Sequence, residues 1–75
     1  MNYSSGEEIQ IGDSVFIENG KTPGIIERIV ETQEEMKQCN VEEAGVLIKS
    51  PPFGLVFWPQ SFVHDPVIFN QREST

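Results

Sequence analysis

The order of apolar and polar positions along the chain predicts five short β-strands. In the first strand, apolar residues recur at every second position, which is typical of a strand with one buried face. These residues are Ile9, Ile11, Val15 and Ile17. Apolar runs predict four further strands at 25–30, 44–50, 55–58 and 67–69. Gly12 and Asp13 interrupt the first strand, so we expect a bend or a bulge there.

Turn-forming residues separate the strands. Asn-Gly at 19–20 and Pro-Gly at 23–24 favour a turn after the first strand, and prolines end the third and fourth strands. The acidic segment 31–43 follows neither the strand period nor the helix period. It is a long hairpin tip or one turn of helix, and we predict that it is mostly loop. The segment 59–62 is predicted to form a single helical turn.

Five short strands, separated by turns at intervals of roughly ten residues, predict an all-β fold. We expect a small five-stranded β-barrel with one short helical turn before the last strand. The chain of 75 residues has room for one domain, 1–75. Its polar ends, 1–8 and 70–75, are predicted to be flexible.

Two segments resemble parts of SH3-like small barrels, a group that includes the KOW and Tudor-type modules. The segment 12–29, GDSVFIENGKTPGIIERI, is similar to their start, with Gly-Asp, alternating apolar residues and a glycine turn. The segment 54–63, GLVFWPQSFV, is similar to the end of an SH3 barrel. The resemblance implies a barrel. The chain departs from the basic KOW modules because it is acidic, and it lacks the Ala-Leu-Tyr-Asp-Tyr-like segment of true SH3 domains.

The charge balance of the chain bears on its partners. Twelve acidic residues against five basic ones leave a net charge of −7, which repels nucleic acid and anionic membranes. Solubility alone accounts for many acidic proteins, but a macromolecular partner of this chain is expected to be basic. No segment is long and apolar enough to span a bilayer, and no signal peptide is recognised at the start.

Catalytic and metal-binding chemistry is poorly represented. Cys39 and His64 are the only candidates for a nucleophile and its base, and Cys39 lies in an acidic stretch that disfavours a thiolate. One Cys and one His do not close a zinc site, and the glutamates lack the spacing of a calcium loop. We therefore expect no enzymatic activity and no cofactor. A single cysteine fits a reducing compartment and favours a cytoplasmic location.

The segment 51–63, PPFGLVFWPQSFV, holds three of the five Phe and the only Trp. Burial of Leu55, Phe57 and Val63 is expected, which turns Val56 and Trp58 to the other side of the strand. Phe53, Phe57 and Phe62 are predicted to be mainly core, because so small a chain has few other large residues. Trp58 and Phe53 are predicted to form an edge that can anchor a partner.

Three functions follow from these observations. The first is a non-enzymatic protein-binding module that neutralises a basic partner, in the manner of immunity proteins or nucleic-acid mimics, with acidic residues that steer association. Its predicted partner-binding residues are Phe16, Glu34, Glu35, Glu42, Glu43, Phe53 and Trp58. The second is nucleic-acid binding, which the fold resemblance suggests and the scarcity of cations opposes. The third is a subunit of a homo-oligomer that pairs through exposed strand edges.

Overall fold

The computed structural model describes residues 1–51 and 54–72. Five strands and one short helix follow each other along the chain. They are β1 (Ser14–Ile17), β2 (Thr22–Val30), α1 (Gln33–Gln38), β3 (Gly45–Ser50), β4 (Gly54–Pro59) and β5 (Ile68–Gln71). The all-β prediction is confirmed, and each predicted strand has its counterpart. The first strand is shorter than predicted. It begins at Ser14, so Ile9 and Ile11 lie before it.

The strands form one antiparallel sheet in the order β4-β3-β2-β1-β5. Neighbouring strands in the chain are paired from β1 to β4, and β5 returns to pair with β1. β4 and β5 form the two edges, and no pairing joins them among the described residues. The sheet is therefore compatible with a small barrel-like fold, but it is not closed.

The turn between β1 and β2 follows from its sequence. Glu18, Asn19 and Gly20 all have positive φ angles, of 55°, 57° and 82°. Asn and Gly tolerate this conformation better than other residues, which is why Asn-Gly is typical of tight hairpins. The N–H of Lys21 donates to the carbonyl of Glu18 at 3.2 Å and closes the turn.

The predicted interruption at Gly12 and Asp13 is present. The N–H of Gly12 donates to the carbonyl of Ile26 at 2.8 Å, and the N–H of Ile26 donates to the carbonyl of Asp13 at 3.0 Å. Two residues thus oppose one, which is the arrangement of a β-bulge. Gly12 has a φ of 96°, which a residue with a side chain rarely adopts. The bulge turns the Asp13 side chain into the protein.

Helical structure occurs at a place other than the predicted one. Within the acidic segment, which was predicted to be mostly loop, α1 forms because Thr32 and Glu35 make a capping box. The hydroxyl of Thr32 accepts from the N–H of Glu35, and the carboxylate of Glu35 accepts from the N–H of Thr32. The segment after β4, predicted to be one helical turn, forms a tight turn in which Phe62 N–H donates to the Pro59 carbonyl at 3.2 Å.

The core lies on one face of the sheet and under the start of the chain. Its largest cluster combines strand residues with Tyr3, Ile9 and Val67, which lie outside the strands. The strand members are Val15, Ile17, Ile26, Val46 and Ile48, and Trp58 and Phe69 pack against them. Within the segment 1–8, which is predicted to be flexible, Asn2 forms a β-bridge with Glu8 and Tyr3 is buried. At the other end, 70–71 belong to β5, and 73–75 lie outside the described residues.

The predicted orientation of β4 is wrong. Trp58 pairs with Val46 and Val56 pairs with Ile48, so these two residues share the core-facing side of the sheet. Leu55 therefore points outward and is 63% exposed. A shift of one residue in the phase of a strand exchanges its two faces, and only the pairing with β3 sets that phase. Val63 and Phe62, also predicted to be buried, lie beyond the strand and are exposed.

Candidate functional site

An apolar cleft of about 290 Å³ lies where the end of β4 meets the start of the chain. Its lining comes from the segment 1–4, from β3, and from the connection between β4 and β5. The side chains that shape it most are Tyr3, Val46, Trp58, Phe62, Val63 and Val67. A concave surface of apolar and aromatic side chains is the usual form of a binding site on a protein.

Trp58 is held rigidly in this cleft. Its backbone lies in β4, its side chain is half-buried, and its indole N–H donates to the carbonyl of Asp65 at 2.7 Å. The Phe62 ring packs edge-on against it, with 5.5 Å between ring centroids and an interplanar angle of 77°. This edge-to-face arrangement is favourable for aromatic pairs. The indole therefore presents a fixed apolar surface to the cleft.

Two apolar side chains of the cleft remain open to solvent. Phe62 is 47% exposed and Val63 is 73% exposed. Both follow Pro59, which ends β4, and the N–H of Val63 donates to the carbonyl of Ser61 at 2.8 Å. This tight turn points the two side chains away from the core. Sequence reasoning assigned both to the core, although their position between two prolines, outside any strand, was a signal against it.

The charged groups near the cleft are two carboxylates and the N-terminal amine. The N-terminal amine of Met1, which lines the cleft, lies 3.5 Å from the Glu31 carboxylate. The hydroxyl of Ser61, between two lining residues, donates to the carboxylate of Glu43. No Lys or Arg is among the described residues that line the cleft. Arg72 is held by Asp13, and Arg28 donates to Gln38 on α1.

The structure separates the residues that were predicted to bind a partner. Trp58 lies in the cleft, and Glu43 is near it through Ser61. Phe16 is half-buried on the opposite face of the sheet, where it pairs with Pro23 and Ile68. Phe53 lies outside the described residues. The cleft therefore combines Trp58 with Phe62 and Val63 rather than with Phe16.

The predicted acidic residues have different surroundings. Glu34 and Glu42 are exposed. The carboxylate of Glu35 accepts from the backbone N–H groups of Thr32 and Glu31 at 3.0 and 3.2 Å, and these bonds lower its pKa. Glu35 thus stabilises the start of α1, so its replacement would change local structure as well as charge.

A buried polar cluster surrounds Asp13 and joins both ends of the chain. Asp13 is 1% exposed and accepts from the Tyr3 hydroxyl at 2.6 Å, the Gln10 N–H at 3.0 Å and the Arg72 Nε at 2.8 Å. The Arg72 guanidinium also lies over the Phe69 ring, 5.3 Å from its centroid. The bonds from Arg72 lower the pKa of Asp13 from 3.8 to about 2, against the opposing effect of burial. Burial, and then the hydrogen bond to Asp13, raise the pKa of Tyr3. All these groups are paired with each other, which indicates a structural role.

Neither of the remaining candidates for chemistry, Cys39 and His64, lines the cleft. Cys39 is half-buried at the C-terminal end of α1, and His64 is exposed in the connection before β5. No group of three or more side chains suited to holding a metal ion occurs within residues 1–51 and 54–72.

Comparison with protein-family models, with curated protein sequences and with solved structures finds no match to this chain. In the part of the chain that the structure describes, no helix is long and apolar enough to cross a membrane.

Proposed function

We propose that this protein is a non-enzymatic protein-binding module that holds an apolar side chain of a basic protein in the cleft beside Trp58. The observation that carries this proposal is the exposure of Phe62 and Val63 next to a fixed indole. Large apolar side chains that stay open to water around a rigid aromatic ring are typical of the anchor points of protein interfaces. The resemblance to SH3-like barrels stays a prediction with which the open antiparallel sheet is compatible.

The size of the cleft favours a side chain over a cofactor. Pockets for small molecules and cofactors usually have volumes of about 300–1,000 Å³. The cleft, at about 290 Å³, is at the lower end of that range, and its lining is mainly apolar. One or two apolar side chains of a partner fit this space. Their burial against Trp58 would supply affinity through removal of apolar surface from water.

The charge of the protein favours a basic partner. The net charge is −7, the carboxylates of Glu31 and Glu43 lie beside the cleft, and no Lys or Arg is among the described residues that line it. Complementary charge raises the rate of encounter more than it raises affinity. A concrete form of this function is neutralisation of a basic protein, which an immunity protein or a nucleic-acid mimic would perform.

Capture from a nuclease-treated lysate, with tagged protein, tests the cleft. Val63→Asp places a charge in the cleft at an exposed position, and Ile11→Asp is the matched control because Ile11 is 68% exposed and does not line the cleft. We expect one basic protein that binds wild type and Ile11→Asp and is lost with Val63→Asp. Equal capture by both variants would show that the cleft is not the binding surface.

Association kinetics with the captured protein then test the charge argument. Reversal of Glu43 to Lys is expected to lower the association rate severalfold at low salt, and to weaken its salt dependence. Reversal of Glu27, which is exposed on β2, serves as the control. If both reversals slow association equally, only the total charge acts and the cleft has no steering role. Retention of nucleic acid, lost after nuclease treatment, would instead favour the nucleic-acid-binding alternative.

A further inference from the structure

The side of β4 that faces away from β3 has backbone groups with no strand partner among the described residues. In an antiparallel pair, residues that exchange hydrogen bonds alternate with residues that do not. The N–H of Gln60 donates to the carbonyl of Ala44, so the bonded positions on β4 continue at Trp58 and Val56. The N–H and C=O groups of Leu55 and Phe57 therefore point away from β3, toward the gap between β4 and β5.

A second cavity, of about 230 Å³, lies between β4 and the end of β1. Val56 and Trp58 of β4 line it on one side, and Ile17 and Glu18 line it on the other. The walls are apolar except for Glu18, whose carboxylate accepts from the Thr22 hydroxyl at 2.9 Å. The edge of β4 thus combines two features: backbone groups with no partner among the described residues, and an adjacent apolar cavity lined by one acidic residue, Glu18.

We propose that an extended segment of the partner pairs antiparallel with β4 at Leu55 and Phe57, as every strand pair of this sheet does, and places a Lys or Arg side chain in the cavity beside Glu18. The proposal rests on the proposed function for the basic character of the partner. Side chains of a strand alternate between its two faces. The partner residue opposite Val56 therefore points inward, while its two neighbours lie outside with Leu55 and Phe57.

The chemistry of the cavity selects a cation with a long aliphatic stem. Lys and Arg bury their methylene groups along apolar surface while the charged head reaches a polar partner. Val56, Trp58 and Ile17 supply the apolar surface, and Glu18 supplies the opposite charge. A second copy of this chain is a poorer occupant, because β4 (Gly54–Pro59) contains no cation and each copy has a net charge of −7. Pro59 lacks an N–H and limits the pairing to a short stretch.

A fluorescein-labelled heptapeptide of alternating valine and lysine tests this binding mode by fluorescence polarisation. One control peptide has N-methylated valines, which remove the N–H groups that face β4, and a second has N-methylated lysines, whose N–H groups face away. A third peptide has norleucine in place of lysine, which keeps the stem and removes the charge. We expect methylation at valine to weaken binding by at least about tenfold, since it removes backbone hydrogen bonds, and methylation at lysine to have little effect.

Variants of the protein give the complementary evidence. Leu55→Pro removes one outward N–H without removing a bond to β3, and Leu55→Thr is the matched control that keeps it. We expect Leu55→Pro alone to raise the Kd by about tenfold. Glu18→Gln is expected to abolish the preference for lysine over norleucine. In the wild type, the amide protons of Leu55 and Phe57 should gain protection from exchange when the peptide binds.

The outcomes separate this inference from the proposed function. Absence of peptide binding at millimolar concentration, or equal binding of the two N-methylated peptides, overturns the strand-pairing inference. The strand-pairing inference is also overturned if the isolated protein forms a dimer in ultracentrifugation that Leu55→Pro dissociates, because a second copy of the chain would then occupy the edge of β4. If the peptide fails while capture of the basic protein still depends on Val63, the cleft function stands without the strand. If the peptide binds as expected while Val63→Asp leaves capture of the basic protein unchanged, the strand-pairing inference stands and the cleft is not the binding surface.

Discussion

Replacement of Asp13 by Asn is predicted to destabilise this protein substantially at neutral pH. The Asp13 side chain is 1% exposed, and its carboxylate holds Tyr3, Gln10 and Arg72 together. Arg72 lies 59 positions away in the sequence, so this cluster connects the end of the chain to its start. An asparagine of the same shape keeps one acceptor oxygen but loses the charge that the guanidinium pairs with.

Two estimates give the magnitude. Hydrogen bonds to charged groups contribute about 1.5–3 kcal/mol each, and the substitution weakens the two that Arg72 donates. The lowering of the Asp13 pKa from 3.8 to about 2 corresponds to about 2 kcal/mol of stability at neutral pH. Because the Arg72 side chain is 39% exposed and retains some hydration, we expect a loss of about 2–3 kcal/mol. A chain of 75 residues has a total stability of roughly 4–11 kcal/mol.

The assay is urea unfolding followed by the fluorescence of Trp58, at pH 7 and at several lower values. A carboxylate whose folded pKa is lowered stabilises the protein above its unfolded pKa, and this stabilisation is lost as pH falls through the folded pKa. The wild type should therefore lose its advantage over Asp13→Asn between about pH 4 and about pH 2. Burial raises the pKa of Tyr3, so wild-type stability should also fall above about pH 10, and Tyr3→Phe should remove that dependence.

A double-mutant cycle with Arg72→Gln identifies the partner. The two single changes and the double change should cost similar amounts, because each removes the same interaction. A loss below about 0.5 kcal/mol for Asp13→Asn, which is the scale of an ordinary surface change, would refute the reasoning. A loss that stays constant from pH 7 to pH 2.5 would also refute it, since the charge of Asp13 would then not be its source.

Two further predictions concern local structure. Thr32→Ala removes the hydroxyl that accepts from Glu35 at the start of α1 and should cost about 1 kcal/mol in urea unfolding, whereas Thr32→Ser should cost little; equal stability of both variants would contradict the capping role. Gly24→Ala should cost about 1–3 kcal/mol, because a Cβ at Gly24 would overlap the methyl group of the fully buried Ile48. Ile48→Ala should offset part of that cost in the double variant, and strict additivity would show that the two sites do not touch.

Local sequence determines the elements that depend on near neighbours. The five strands, the Asn19-Gly20 turn and the bulge at Gly12 follow from propensity, from positive φ and from punctuation by proline. The capping box of Thr32 and Glu35 was also readable, because Ser or Thr followed three residues later by Glu is a helix-start signal. The signal was missed because the segment is mostly acidic and follows no helical period.

The site was only partly predictable from the sequence. Trp58 stood out as the only Trp, and the acidic residues stood out as a run. The residues that accompany Trp58 in the cleft could not be recognised in the same way. Phe62 and Val63 were predicted to be core residues, but both are exposed. Burial of Phe62 was predicted because so small a chain has few other large residues, but the tight turn after Pro59 points both side chains outward.

Tertiary structure alone decided which face of β4 is buried and what holds the ends of the chain. The phase of β4 is set by pairing of Trp58 with Val46, a residue 12 positions earlier that a local pattern does not include. Tyr3 and Arg72 both donate to Asp13, a residue that the sequence pattern shows only as an interruption of an apolar strand. Local chemistry selects the strands and turns of this protein, because propensity and φ preferences act between neighbours. The buried face of each strand, the burial of each side chain and the ion pairs depend on residues that come into contact only when the sheet forms.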